Sequence, residues 1–232
     1  LTGSMAGTLT GPGNLVDAIT SITLTDKNGD PVWQGLNGND LRLLKYWKGR
    51  LGKYVSLTAI ANAAATQTFE IPCTVDSSKL PLQCAVTYNT LAAMGTSGQT
   101  SASITLTLVP VYRDGITTST ERVFKVPKTT TVGSMSFNRD LIRGKKIIAI
   151  GATFTAAKFS QLSFSWDSSP EFVSLDLNSI AEHMGERFVD GNQSGVMLLE
   201  PLPFVPNDLT VLDWVTLTSA DTVNLYLFSE DA

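Results

Sequence analysis

The chain has 232 residues, of which 43% are hydrophobic and only 16% charged, with a formal net charge of −4. That length buries a core either as one large domain or as two of about 115 residues. The charged share is well below the roughly 25% of ordinary soluble domains. The balance gives no general affinity for nucleic acid, and no apolar run approaches the eighteen or so residues of a membrane-spanning helix.

The opening segment LTGSMAGTLTGPG lacks the charged-then-apolar layout of a secretory signal. It starts at Leu1 rather than Met, which leaves removal of an upstream segment open. Thr and Ser fill most polar positions, as in SITLTD, SASITLTL and DWVTLTSAD, and such residues suit half-buried pleated surfaces. Alternation and Gly/Pro/Asn punctuation predict strands near 4–10, 19–26, 31–35, 55–60, 67–75, 83–88 and 101–112. The turn DKNGD centres on Asn28-Gly29, a hairpin signal because both central residues favour φ > 0.

The stretch ITLTDKNGDPVWQGLNGNDLRLLKYW, residues 22–47, changes period from strand to helix at GLNGNDL. Asn39 or Asp40 is the expected N-cap, and Leu41, Leu44 and Trp47 share one face. Cys73 and Cys84 make no disulfide framework; two reduced thiols or one bridge closing a short segment both fit.

Past a polar, Gly/Thr-rich stretch at 113–120, strands are predicted near 121–126, 131–137, 145–155, 160–166, 195–200, 211–218 and 222–229. Between them, LSFSWDSSPEFVSLDLNSIAEHMGERF at 162–188 repeats the strand-to-helix grammar of 22–47. Leu177, Ile180, Met184 and Phe188 form a one-sided stripe, and Ser179 with Glu182 has capping-box spacing. Both helices are expected to cover their own sandwich. ITLTD aligns with LSFSWD, WQGLNGNDLRLL with FVSLDLNSIAEH, QTFEIPCTVDSS with SGVMLLEPLPFVPND, and ASITLTLVP with DTVNLYLFS. Matches in the same order predict an all-β chain of two tandem β-sandwiches, 1–115 and 116–232. Each would have seven or eight strands and a short flanking α-helix.

Residue types for catalysis are scarce. The one histidine, His183, lies inside the second helical segment, too little for a triad or a histidine metal cluster. Asp26, Asn28 and Asp30 alternate like a calcium loop, but Pro31 and Asn37 stand where Gly and a bidentate Glu are needed. RLGKY and RGKKI lack the rest of a phosphate loop, and GPGNLV is no dinucleotide fingerprint. No catalytic residue, cofactor or metal is expected, and the chain reads as a non-enzyme. Charge is segregated: Arg42, Lys45, Lys48, Arg50 and Lys53 fall in a stretch with no acid. Glu200, Asp208, Asp213, Asp221, Glu230 and Asp231 fall in a tail with no base. These are either solvated faces of opposite sign or complementary patches that meet between subunits.

The order of strand, Asn-Gly turn, GLNGNDL and helix, then RGKKIIAIGATF, LSFSWD and helix, resembles the double jelly-roll major capsid proteins of tailless icosahedral bacteriophages, of the corticovirus-like kind. The resemblance spans roughly residues 15–230 and rests on pattern and order. It implies two jelly rolls per chain and a homotrimer of pseudo-hexagonal outline that tiles an icosahedral shell. It further implies contacts with neighbouring capsomers, a separate vertex (penton) protein and an internal lipid membrane, with no specific nucleic-acid recognition. The chain would be made in the host cytoplasm and end in the virion. On this reading Arg42, Lys45, Lys48, Arg50 and Lys53 contact neighbours, genome or lipid.

The rival is a tandem β-sandwich carbohydrate-binding or adhesin module, which needs exposed aromatic platforms; Trp33, Trp47, Trp166 and Trp214 instead sit in core-like patterns. A single jelly-roll coat of a small RNA virus normally has a basic N-terminal arm, and residues 1–25 hold no Lys or Arg.

Overall fold

The computed structural model describes residues 2–9, 15–49, 63–70, 73–88, 104–109, 119–130, 133–136, 146–155, 159–166, 169–176, 178–179, 182, 195–200, 209–216 and 221–230. The chain divides into two compact units, Leu1–Thr118 and Ser119–Ala232.

The first unit contributes β1 (Thr2–Leu9), β2 (Ile19–Thr25), β3 (Pro31–Leu36), α1 (Gly38–Gly49), β4 (Ala63–Glu70), β5 (Gln83–Tyr88) and β6 (Ile104–Val109). β1 lies antiparallel between β4 and β6, and β2 lies antiparallel between β3 and β5. A single turn of 3-10 helix, Leu15–Ala18, buries Val16 and Ala18 and touches β1, β4 and α1. Ile19, Ile22, Leu24, Val32, Trp33 and Leu36 extend this core from β2 and β3. The period-2 rule holds along β2, where Ile22 and Leu24 are buried while Ser21 and Thr23 are half-buried. On β3 it breaks at Gly35, whose φ of 76° sits in a bulge where the register against β2 shifts.

The β2–β3 turn is held by Asp26, whose side chain is buried. Its Oδ1 accepts the N–H of Asn28 at 2.9 Å and of Asp30 at 3.0 Å. Gly29, at φ 85°, donates its N–H to the Asp26 carbonyl at 3.0 Å. The carboxylate therefore organises the hairpin from within, the behaviour of an Asx turn and not of a calcium ligand.

The second unit contributes β7 (Glu121–Thr130), β8 (Gly133–Ser136), β9 (Lys146–Thr153), β10 (Phe159–Trp166), β11 (Ser169–Asp176), β12 (Val196–Leu199), β13 (Leu209–Thr216) and β14 (Asp221–Glu230). One sheet runs β12-β9-β14-β7 and the other β11-β10-β13-β8, with every pair antiparallel. Eight strands distributed in this interleaved order make a jelly roll. Its core includes Ile147, Ile150, Met197, Leu199, Val223, Leu225, Leu227 and Phe228. Tyr226 is buried too, and the Lys125 ammonium directly opposite it on β7 lies 5.8 Å from the ring centroid.

Most predicted strands occur; β11 (Ser169–Asp176) was absent from the predicted strands, and two features of the first unit also differ. Ala63–Ala65 start β4 earlier than the 67–75 expectation, because pairing to β1 overrides the weak strand preference of alanine. Residues 73–76 fall outside any strand, leading into a 3-10 turn at Ser77–Lys79 capped by Asp76. Cys73 and Cys84 are not joined by a disulfide. The strand expected at 55–60 lies outside the described residues, as do His183 and the stripe residues Leu177, Ile180, Met184 and Phe188.

Candidate functional site: the capped helix and its basic face

Each unit runs a strand into a helix through a side-chain cap. In the first, Asn37 Oδ1 accepts the Asp40 N–H at 3.0 Å, and Asp40 Oδ2 accepts the Asn37 N–H at 2.7 Å. This reciprocal pair is a capping box. It places the N-cap at Asn37, earlier than the expected Asn39 or Asp40. Unlike Asn39 or Asp40, Asn37 directly follows the last strand residue and has a carboxylate three positions on. Asp40 itself is buried, so its charge is spent on the cap and the positive end of the helix dipole.

In the second unit Asp176 Oδ1 accepts the Ser179 N–H at 2.7 Å, and Asn178, Ser179 and Glu182 are helical. Asp176 is thus the cap, three residues upstream of the expected Ser179. Asn37 and Asp176 occupy equivalent places in the aligned GLNGND and SLDLNS stretches.

Hydrogen bonds from the Ser179 N–H, and then its hydroxyl, hold the Asp176 carboxyl below the usual aspartate range. Asp76 is lowered likewise, by the Ser78 hydroxyl and then its N–H, the latter at 2.6 Å. A carboxyl depressed in the folded state stabilises above its unfolded value and loses that contribution as pH falls through its folded value. Both caps are therefore expected to be intact at neutral pH and to open only below about pH 4. NMR titration of the two carboxyls should give midpoints below that of an aspartate peptide.

α1 buries Leu41, Leu43, Leu44, Tyr46 and Trp47, a wider arc than the predicted Leu41–Leu44–Trp47 face. Apart from Asn39, what remains outside is basic. Lys45 is exposed, and Arg42 and Lys48 are half-buried. Arg42 Nη2 donates to Asn39 Oδ1 at 2.8 Å, which pins the guanidinium along the helix. Arg50 and Lys53 lie outside the described residues.

Asp221 and Glu230, the acidic-tail residues whose side-chain partners are described, are not brought into one patch. Asp221 and Glu230 stand at opposite ends of β14. Asp221 accepts the Thr155 N–H at 2.8 Å and the Thr155 hydroxyl at 3.0 Å, and Glu230 pairs with Lys146 at 2.7 Å. Glu200 is half-buried, and Asp208 and Asp231 lie outside the described residues. Among the described residues no group of three or more His, Cys, Asp or Glu side chains could hold a metal ion. No described helix is long and apolar enough to cross a membrane. Trp33 and Trp47 are each 1% exposed, so neither can serve as a saccharide platform.

No protein-family model matches the chain, and no curated protein matches it in sequence. Solved structures do. The major capsid protein of STIV aligns with a TM-score of 0.62 at 10% identity, covering 98% of this chain and 86% of that one. The atomic structure of Sulfolobus turreted icosahedral virus gives 0.59 at 8%, covering 98% and 82%. The PBCV-1 virus capsid gives 0.54 at 9%, covering 99% and 85%. The chain has the double jelly-roll fold.

In this double jelly roll the repeated grammar marks repeated parts. β2 and β10, β3 and β11, β4 and β12, and β6 and β14 are the four aligned segment pairs, and the members of each pair lie beside equivalent strands: β4 and β6 flank β1 as β12 and β14 flank β9, and β3 pairs β2 as β11 pairs β10. The positions that sequence reasoning missed are Asn37 and Asp176 as caps and Gly195 as a packing constraint. The caps were readable from the aligned strand ends; Gly195 had no local signal.

Proposed function

We propose that the chain is the major capsid protein of a tailless icosahedral virus, a structural block and not an enzyme. The observation that carries this reading is the alignment of 98% of the chain, both units together, on the STIV major capsid protein. Three copies of a two-roll chain present six similar blocks around a threefold axis, so a trimer imitates sixfold packing and can tile a flat facet. Such trimers would meet neighbouring capsomers at their side walls, a separate vertex protein at the fivefold positions and an internal lipid membrane beneath. The chain would be made in the host cytoplasm and reside in the virion.

Within this reading Arg42, Lys45, Lys48, Arg50 and Lys53 form a contact surface for neighbouring subunits, genome or lipid. The exposure of Lys45 and the burial of the opposite helix face support it. Contacts between exposed charges are screened within about 8 Å at physiological salt. Raising NaCl tenfold is expected to weaken subunit association at least tenfold in sedimentation runs; association indifferent to salt removes the electrostatic part of the proposal.

Native mass by light scattering tests the whole. A stable threefold multiple of 24.9 kDa, with pseudo-hexagonal blocks in negative-stain images, is the expected result. A strict monomer at every concentration, also on lipid vesicles, would turn the reading down.

A further inference from the structure

The second unit is an internal template for the first. β9 lies between β12 and β14 as β1 lies between β4 and β6. β10 lies between β11 and β13 as β2 lies between β3 and β5. A side-chain-capped helix follows β11 and β3 alike. In chain order β1–β6 are thus the counterparts of β9–β14. What the second unit has beyond this, and the first lacks among the described residues, is the pair β7 and β8.

Those two strands have defined seats. β7 pairs with β14 over ten residue pairs, and β8 pairs with β13 over four. The corresponding seats in the first unit are the outer edges of β6 and β5, which among the described residues pair only with β1 and β2. The exposed large hydrophobics of the described residues are Tyr88 and Val109, each 49% exposed, and they are the last residues of β5 and β6. β14, flanked on both sides, buries the run 225–229, whereas Thr107 and Val109 on β6 are exposed. An edge left unpaired among the described residues offers a row of N–H and C=O groups to an incoming strand.

We infer that the outer edges of β5 and β6 receive a two-strand segment that precedes residue 1 in the complete polypeptide. Its first strand seats antiparallel on β6 and its second on β5. Chain order selects this occupant: β7 and β8 are consecutive and directly precede β9, whose counterpart is β1. Residues 137–145 span the step from β8 to β9, so a connection of similar length carries the second strand to β1. The segment should alternate apolar and polar residues, as RVFKV does in β7. The inference rests on the comparison of the two units and stands apart from the capsid reading.

Hydrogen exchange with mass spectrometry tests it on the product of the complete reading frame and on the chain starting at residue 1. In the complete product, β5 and β6 are expected to exchange as slowly as β14. In the shorter chain they should exchange at least a hundredfold faster while β14 is unchanged. If the shorter chain does not fold, limited proteolysis of the complete product before residue 1 replaces it: the nicked segment should stay bound in native buffer and leave in denaturant. Four results would overturn the inference. They are protection of β5 and β6 in the shorter chain as a monomer, protection that appears only on self-association, a complete product that begins at residue 1, and a nicked segment that leaves in native buffer.

Discussion

Replacing Gly195 with alanine is expected to destabilise the second unit by about 3 kcal/mol, among the larger single-residue effects in this chain. Gly195 has φ 80°, a region that an L side chain enters at a cost of roughly 1–2 kcal/mol. The new Cβ would also fall 2.3 Å from the Phe154 carbonyl oxygen, a backbone atom that cannot swing away. The Phe154 N–H donates to the Gly195 carbonyl at 2.9 Å, extending the β9–β12 ladder by one bond, so relieving the clash breaks that bond too. Gly29→Ala is the control. Its φ is 85°, but nothing lies within 4 Å of the added Cβ, so only the conformational cost of about 1 kcal/mol remains. Thermal unfolding should therefore show a drop of about 10 °C or more for Gly195→Ala and a few degrees for Gly29→Ala. Equal effects would mean that Phe154 moves freely.

Trp47→Ala is expected to cost the first unit about 3–5 kcal/mol, the range for truncating a large buried aromatic. Trp47 is 1% exposed on the inward arc of α1, among Leu43, Leu44 and Tyr46. The loss combines the transfer of the indole from water with the cavity it leaves. The same variant separates two functions. If Trp47 is core, unfolding of the first unit moves to lower denaturant. A saccharide platform would instead lose glycan binding with stability unchanged, an outcome its burial argues against.

The double jelly roll was legible to the extent that it is written in local pattern. Period-2 alternation located β2, β3, β5 and β14, because one face of each strand meets a core and the other does not. Asn28-Gly29 located the first hairpin, because few residues accept positive φ. Order within the repeat paired β2 with β10 and β6 with β14, because equivalent strands face equivalent neighbours. The caps were misplaced by three residues or fewer, since Asn, Asp and Ser are interchangeable as capping types until backbone geometry selects one. Where strand ends were softer, as at Ala63, pairing with β1 decided the boundary.

Other features required the tertiary structure. Asp26 looked like half of a calcium loop; its burial, with two backbone N–H groups on one oxygen, makes it a turn organiser. Asp221 and Glu230 looked like part of one acidic tail; strand β14 carries them to opposite ends, each with its own partner. Gly195 had no sequence signal, because the atom that forbids a side chain there lies about forty positions away. Composition and periodicity by themselves determined an all-β, tandem chain poor in catalytic residue types, since those properties are sums over neighbours in sequence. Which edges are filled, which charges are spent and which glycine is essential were decided only when strands distant in sequence came side by side.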